Sequence, residues 1–121
     1  MTPLTRSLRV FAIYLGLLAL ALLVAPNLLL RAFALPATSE VWIRVVGMLV
    51  SFLGVYYWVG AASRFIPFFQ ATVLCRLTVP IVFLIFVLAG WVAWPLLLFA
   101  VFDVLGAAWT WWNLRHVQTA A

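Results

Sequence analysis

The sequence predicts an all-α fold, an integral membrane four-helix bundle, from three observations: its composition, the length of its apolar runs, and the residues that punctuate them. Of 121 residues, 69% are hydrophobic and 7% are charged, whereas a soluble domain is about 25% charged. A hydrocarbon core of roughly 30 Å takes about 20 apolar residues per helix. Four such runs can be marked, approximately at residues 8–25, 40–60, 67–89 and 95–114, and together they make one membrane domain over residues 1–121.

The first run follows Arg6 and Arg9, the layout of a signal peptide. It is long enough to span, however, and "APN" after it is a poor small-x-small cleavage site, so it reads as a helix ending before Pro26. The longest connection, Asn27 to Ser39, carries "NLLLRAF", which suits a short amphipathic turn in the interface. Thr38 and Ser39 offer capping oxygens to the second span, while Pro67 and Pro95 open the third and fourth. With an even number of spans, Arg6, Arg9, Arg64 and Arg115 fall on one side and Arg31 and Arg44 on the other. The positive-inside rule then makes both termini cytoplasmic. Trp42, Tyr56, Tyr57, Trp91, Trp94, Trp111 and Trp112 fall near predicted span ends, as an interfacial aromatic belt requires.

Polar residues within the spans sort onto faces. On the second helix Glu40, Arg44, Gly47, Ser51, Gly54 and Trp58 are spaced by four and three, one stripe. The fourth has Asp103, Gly106, Thr110 and Asn113, the third has Thr72, Arg76 and Pro80, and the first is apolar all round. Small and polar residues mark the packing side of a membrane helix. The expectation is therefore that helices 2, 3 and 4 share a polar interior that helix 1 closes or flanks.

Arg76 is a permanent cation in mid-span, and a charge there costs about 2.5–3.5 kcal/mol on insertion scales unless it is paired or faces water. Asp103 is the only acid of similar depth, and Arg44 approaches it from the outer side, which predicts a buried chain Glu40–Arg44–Asp103–Arg76. Pro80 removes the helical partner of the residue 76 carbonyl. The cluster reads either as an ion pair that sets helix register or as a ligand pocket lined in addition by Ser51, Thr72, Pro80 and Thr110.

Other chemistries find little. Cys75 is the only cysteine and His116 the only histidine, so one chain offers no disulfide, redox dithiol, haem pair or zinc site. Ser51 and Asp103 lie far in depth from His116, against a hydrolytic triad, and no glycine-rich phosphate loop occurs. Catalysis by this chain alone is not expected, nor is a metal. The net charge of +5 has no basic cluster outside the membrane and reads as topology, not as a nucleic-acid surface. "SFLGVYYW" (51–58) and "DVLGAAWT" (103–110) form a faint parallel echo.

"EVWIRVVGMLVSFLGVYYW", "PFFQATVLCRLTVP" and "LFAVFDVLGAAWTWWNL", with their Glu/Arg, Arg and Asp placements over residues 40–115, resemble the small bacterial four-helix membrane proteins of the DoxX-like group. That group includes a component of a membrane thiosulfate:quinone oxidoreductase. The resemblance implies a multi-pass protein of the bacterial inner membrane, an accessory or ligand-binding subunit of a membrane oxidoreductase complex; no cofactor is required, and a quinone or lipid is a further candidate for a pocket near Arg76. It supplies no catalytic residues to carry over. The alternative is a homodimeric small-solute transporter using Arg76 and Asp103 as a midplane site. Against it, the first helix lacks the acidic residue expected of small multidrug exporters.

Overall fold

The computed structural model describes residues 2–120 and, for side chains, residues up to 116. The chain folds into helices α1 (Pro3–Val24), α2 (Pro26–Ala32), α3 (Trp42–Ala62), α4 (Ile66–Leu88) and α5 (Leu97–Ala120), the last preceded by a 3-10 turn at Trp94–Leu96. Four helical stretches are long and apolar enough to cross a bilayer: α1, α3, α4 and the run from Trp94 to His116.

Local chemistry explains where the helices start and stop. α1 begins earlier than the apolar run suggests, because the Thr2 hydroxyl accepts from the Thr5 amide at 3.1 Å with Pro3 in the first turn. Ala25 leaves helical geometry (φ −142°, ψ 65°), as a residue before proline tends to, and Pro26 starts α2. α3 starts at Trp42 without a side-chain cap. Thr38 does not cap it: its amide donates to Asn27 Oδ1 and its hydroxyl accepts from the Glu40 amide, so both residues stay in the preceding loop. Glu40 therefore leaves the expected stripe. α4 ends in a Schellman motif, with Gly90 at φ +78°, the Gly90 amide bonded to Val87 O and the Trp91 amide to Phe86 O. The same motif ends α2, with Ala34 taking the left-handed position at φ 56°.

The packing order differs from the expectation in one main respect: α1 is the most buried of the four long helices and packs between α3 and α5, while α4 packs on α5. Its buried residues Leu4, Leu8, Phe11, Leu15, Ala19 and Leu22 recur at intervals of four and three, while Val10, Ile13, Leu17, Leu20 and Val24 face outward. In lipid both faces of such a helix are apolar, so hydrophobicity carries no record of which one is inside.

The small residues of α3 do select its packing side, but the partner is α1. A Cβ at Gly47 would lie 2.9 Å from Leu22 Cβ, one at Gly54 would lie 3.5 Å from Ala12 O, and Ala61, one heptad on, is fully buried. Thr5 Oγ1 donates to the Ala61 carbonyl at 2.9 Å, and the buried hydroxyls of Ser7 and Thr110 lie 2.9 Å apart, tying α1 to α5. Leu4, Leu8, Ala61, Phe69, Val73, Ala107 and Leu114 complete the core. All buried residues of α4 fall between Phe69 and Arg76, so the dense packing lies in the half of the bundle nearer the N-terminus.

Candidate functional site

Arg76 sits about ten residues into α4, roughly 15 Å along its axis, and is 2% exposed. Its side chain turns back over the preceding turn, the direction helical geometry favours. Nε donates to the Thr72 carbonyl at 3.1 Å and Nη2 to Thr72 Oγ1 at 3.2 Å, while the Thr72 hydroxyl in turn donates to Phe69 O at 2.8 Å. The guanidinium carbon lies 4.8 Å from the Phe11 ring centroid and 5.8 Å from that of Tyr57, so two aromatic faces supply part of the stabilisation that water would give. Gly106 of α5 completes the enclosure, since a Cβ there would come within 3.1 Å of Nη1. Nη1 itself is buried and has no hydrogen-bond partner. A buried donor left unpaired costs about 1–3 kcal/mol.

That side chain lines a cavity of about 350 Å³ to which four helices contribute: Phe11 and Leu15 from α1, Leu53, Tyr56 and Tyr57 from α3, Phe68, Thr72, Cys75 and Val79 from α4, and Asp103 from α5. α3 and α4 meet there mainly through large side chains, with Tyr57 and Phe68 in edge contact at 6.3 Å. Leu53, Tyr56 and Cys75 are exposed, so the cavity opens sideways, through the seam between α3 and α4, toward the apolar outer surface of the bundle. It has the usual make-up of a ligand site, apolar walls with a few convergent polar groups.

Asp103 is half-buried on the same cavity as Arg76. The two are brought together without touching, for no ion pair within 4.0 Å joins them. Arg44 and Glu40 are elsewhere. Both are exposed and line a second cleft, of about 490 Å³, with Asn27, Thr38 and Ser39 at the other end of the bundle. Arg44 Nη1 donates to the Leu23 carbonyl. The reason is local: Pro26 ends α1 and leaves its last carbonyls without helical partners, so an arginine on the neighbouring helix meets one of them. The expected four-residue chain thus divides into two sites, because Arg44 lies level with Leu23 of α1 whereas the α5 segment of Asp103 lies level with Phe11 and Tyr14, about ten residues or roughly 15 Å away along that helix.

Of the other expected pocket residues, only Thr72 lines the cavity. Ser51 donates to Met48 O and faces a lipid-side groove with Ala12, Gly16 and Gly54. Pro80 lies on another outer groove, against Leu84, Leu97 and Val101. Thr110 is buried on Ser7, nearer the core. Sequence reasoning did not find the aromatic walls: Phe11 is one apolar residue among many, and Tyr57, taken for an interfacial anchor, packs on Phe11 with ring centroids 5.8 Å apart. Among the described residues no three of His, Cys, Asp and Glu gather as metal ligands. Comparison with protein-family models, curated proteins and solved structures finds no match to this chain.

Proposed function

We propose that this protein is a ligand-binding accessory subunit of the DoxX-like type in the bacterial inner membrane, holding a quinone or another lipid-soluble molecule at Arg76 beside a membrane oxidoreductase partner. One observation carries the proposal: Arg76 Nη1, a buried donor without a partner, lines a cavity that opens sideways between α3 and α4. A molecule dissolved in the bilayer would reach it without crossing water, place its apolar body against Phe11, Tyr57 and Leu53, and offer an oxygen to the unpaired Nη1. The cavity is assembled within one chain, which favours binding over the dimeric transporter.

The test is mass spectrometry of the tagged protein released gently from its own membranes at native expression level, reading proteins and small molecules together. The expected result is a lipid-soluble ligand lost on Arg76→Gln and an oxidoreductase co-purifying in fixed ratio. A partner-free dimer without bound ligand would overturn the proposal in favour of the transporter.

A further inference from the structure

The molecule holds two carboxylates, Asp103 and Glu40, and only Asp103 shares the cavity with Arg76. Two of the three guanidinium nitrogens are engaged by Thr72, which leaves Nη1 as the free end. The Nε/Nη2 edge that usually grips a carboxylate or phosphate side-on is therefore occupied. Asp103 accepts no hydrogen bond from any described residue and does not neutralise Arg76 by contact, but as a carboxylate on the same cavity it brings the formal charge of the pair to zero. An isolated arginine at this depth would favour an anionic lipid head group as its partner.

Resting on the pocket reading above, we infer that Asp103 is the residue that sets charge specificity: the cavity selects a neutral, carbonyl-bearing amphiphile, whose oxygen accepts from Arg76 Nη1, and rejects anionic amphiphiles of the same shape. The geometry separates the two roles. Arg76 supplies the donor and the aromatic-lined floor, whereas Asp103 offers no donor to a carbonyl and acts on the head group through charge alone. Like charges a few ångströms apart in a low-dielectric site repel strongly enough to change occupancy at least about tenfold.

The experiment uses the full chain in nanodiscs of neutral lipid and two photoactivatable probes with the same alkyl tail, a methyl ketone and an alkyl sulfonate that is ionised at any working pH. Crosslinks are mapped by mass spectrometry to the peptides around Phe11, Tyr57 and Cys75. In the wild type the ketone should label these peptides and the sulfonate should label them at least about tenfold less. Asp103→Asn should raise sulfonate labelling by about the same factor and leave ketone labelling within about twofold, while Arg76→Gln should remove both. Thermal unfolding checks each variant, and Asp103→Ser replaces Asp103→Asn if that protein does not fold. Sulfonate labelling equal to or above that of the ketone in the wild type, lost in Arg76→Gln, would overturn the charge specificity and leave the pocket standing. Failure of both probes, or labelling indifferent to Arg76→Gln, would remove the pocket and the specificity together.

Discussion

Gly106 offers the sharpest test of how the bundle is built around Arg76. A methyl group there would sit 2.7 Å from Phe11 Cδ2 and 3.1 Å from Arg76 Nη1, where carbon atoms prefer roughly 3.5–4.0 Å. Phe11 cannot retreat freely. It is 6% exposed, stands at 5.3 Å from the Tyr14 ring and 5.8 Å from the Tyr57 ring, and carries the guanidinium of Arg76 on its face. Overpacking of this kind costs about 1–3 kcal/mol, while replacing a helical glycine by alanine returns up to about 1 kcal/mol. Gly54→Ala is the control, because its new Cβ would meet nothing closer than 3.5 Å and the same propensity gain applies. The propensity term cancels between the two variants, so Gly106→Ala should be less stable than Gly54→Ala by about 1–3 kcal/mol. Reversible unfolding of the bicelle-reconstituted protein by SDS, followed by circular dichroism, measures the difference. Gly106→Ala should also lower ketone-probe labelling of the cavity several-fold, since it crowds the free Nη1. Equal stability of the two variants, or a more stable Gly106→Ala, would refute the close approach of α5 to Phe11.

Two further predictions address the rest of the bundle. Arg44→Ala should cost about 0.5–1 kcal/mol in the same unfolding assay, through the lost cap on α1, and leave probe labelling unchanged, because Arg44 bonds to Leu23 O and does not line the Arg76 cavity; loss of labelling would restore the continuous charge chain. For the Ser7 and Thr110 pair, a double-mutant cycle with Ser7→Ala and Thr110→Val should give a coupling of about 0.6 kcal/mol, and no more than about 1.7, since Ser7 keeps the Leu4 carbonyl as a partner at 2.8 Å; a coupling of zero would mean that the two hydroxyls do not meet.

Much of this molecule is written in one dimension. The apolar runs fix four helices long and apolar enough to cross a bilayer, and Pro26, Pro67 and Pro95 mark their ends to within a few residues. The isolation of Arg76 and Asp103 in apolar surroundings is equally legible, as is the stripe of Gly47 and Gly54 that turns α3 toward a neighbour. Each follows from a local rule: the cost of charge in hydrocarbon, the missing amide of proline, the absent side chain of glycine.

Which neighbour each helix meets was decided only in three dimensions. α1, without a polar residue in its apolar run after Arg9 except Tyr14, packs between α3 and α5 because its heptad of Leu and Phe fits their glycines, and shape leaves no trace in hydrophobicity when lipid and protein interior are equally apolar. That placement sets Arg44 at the end of α1, away from the level of Asp103, and leaves Arg76 with Thr72, two aromatic rings and an unpaired Nη1. The sequence determined that a charge would lie within a long apolar helix; the packing of apolar surfaces determined what would surround it.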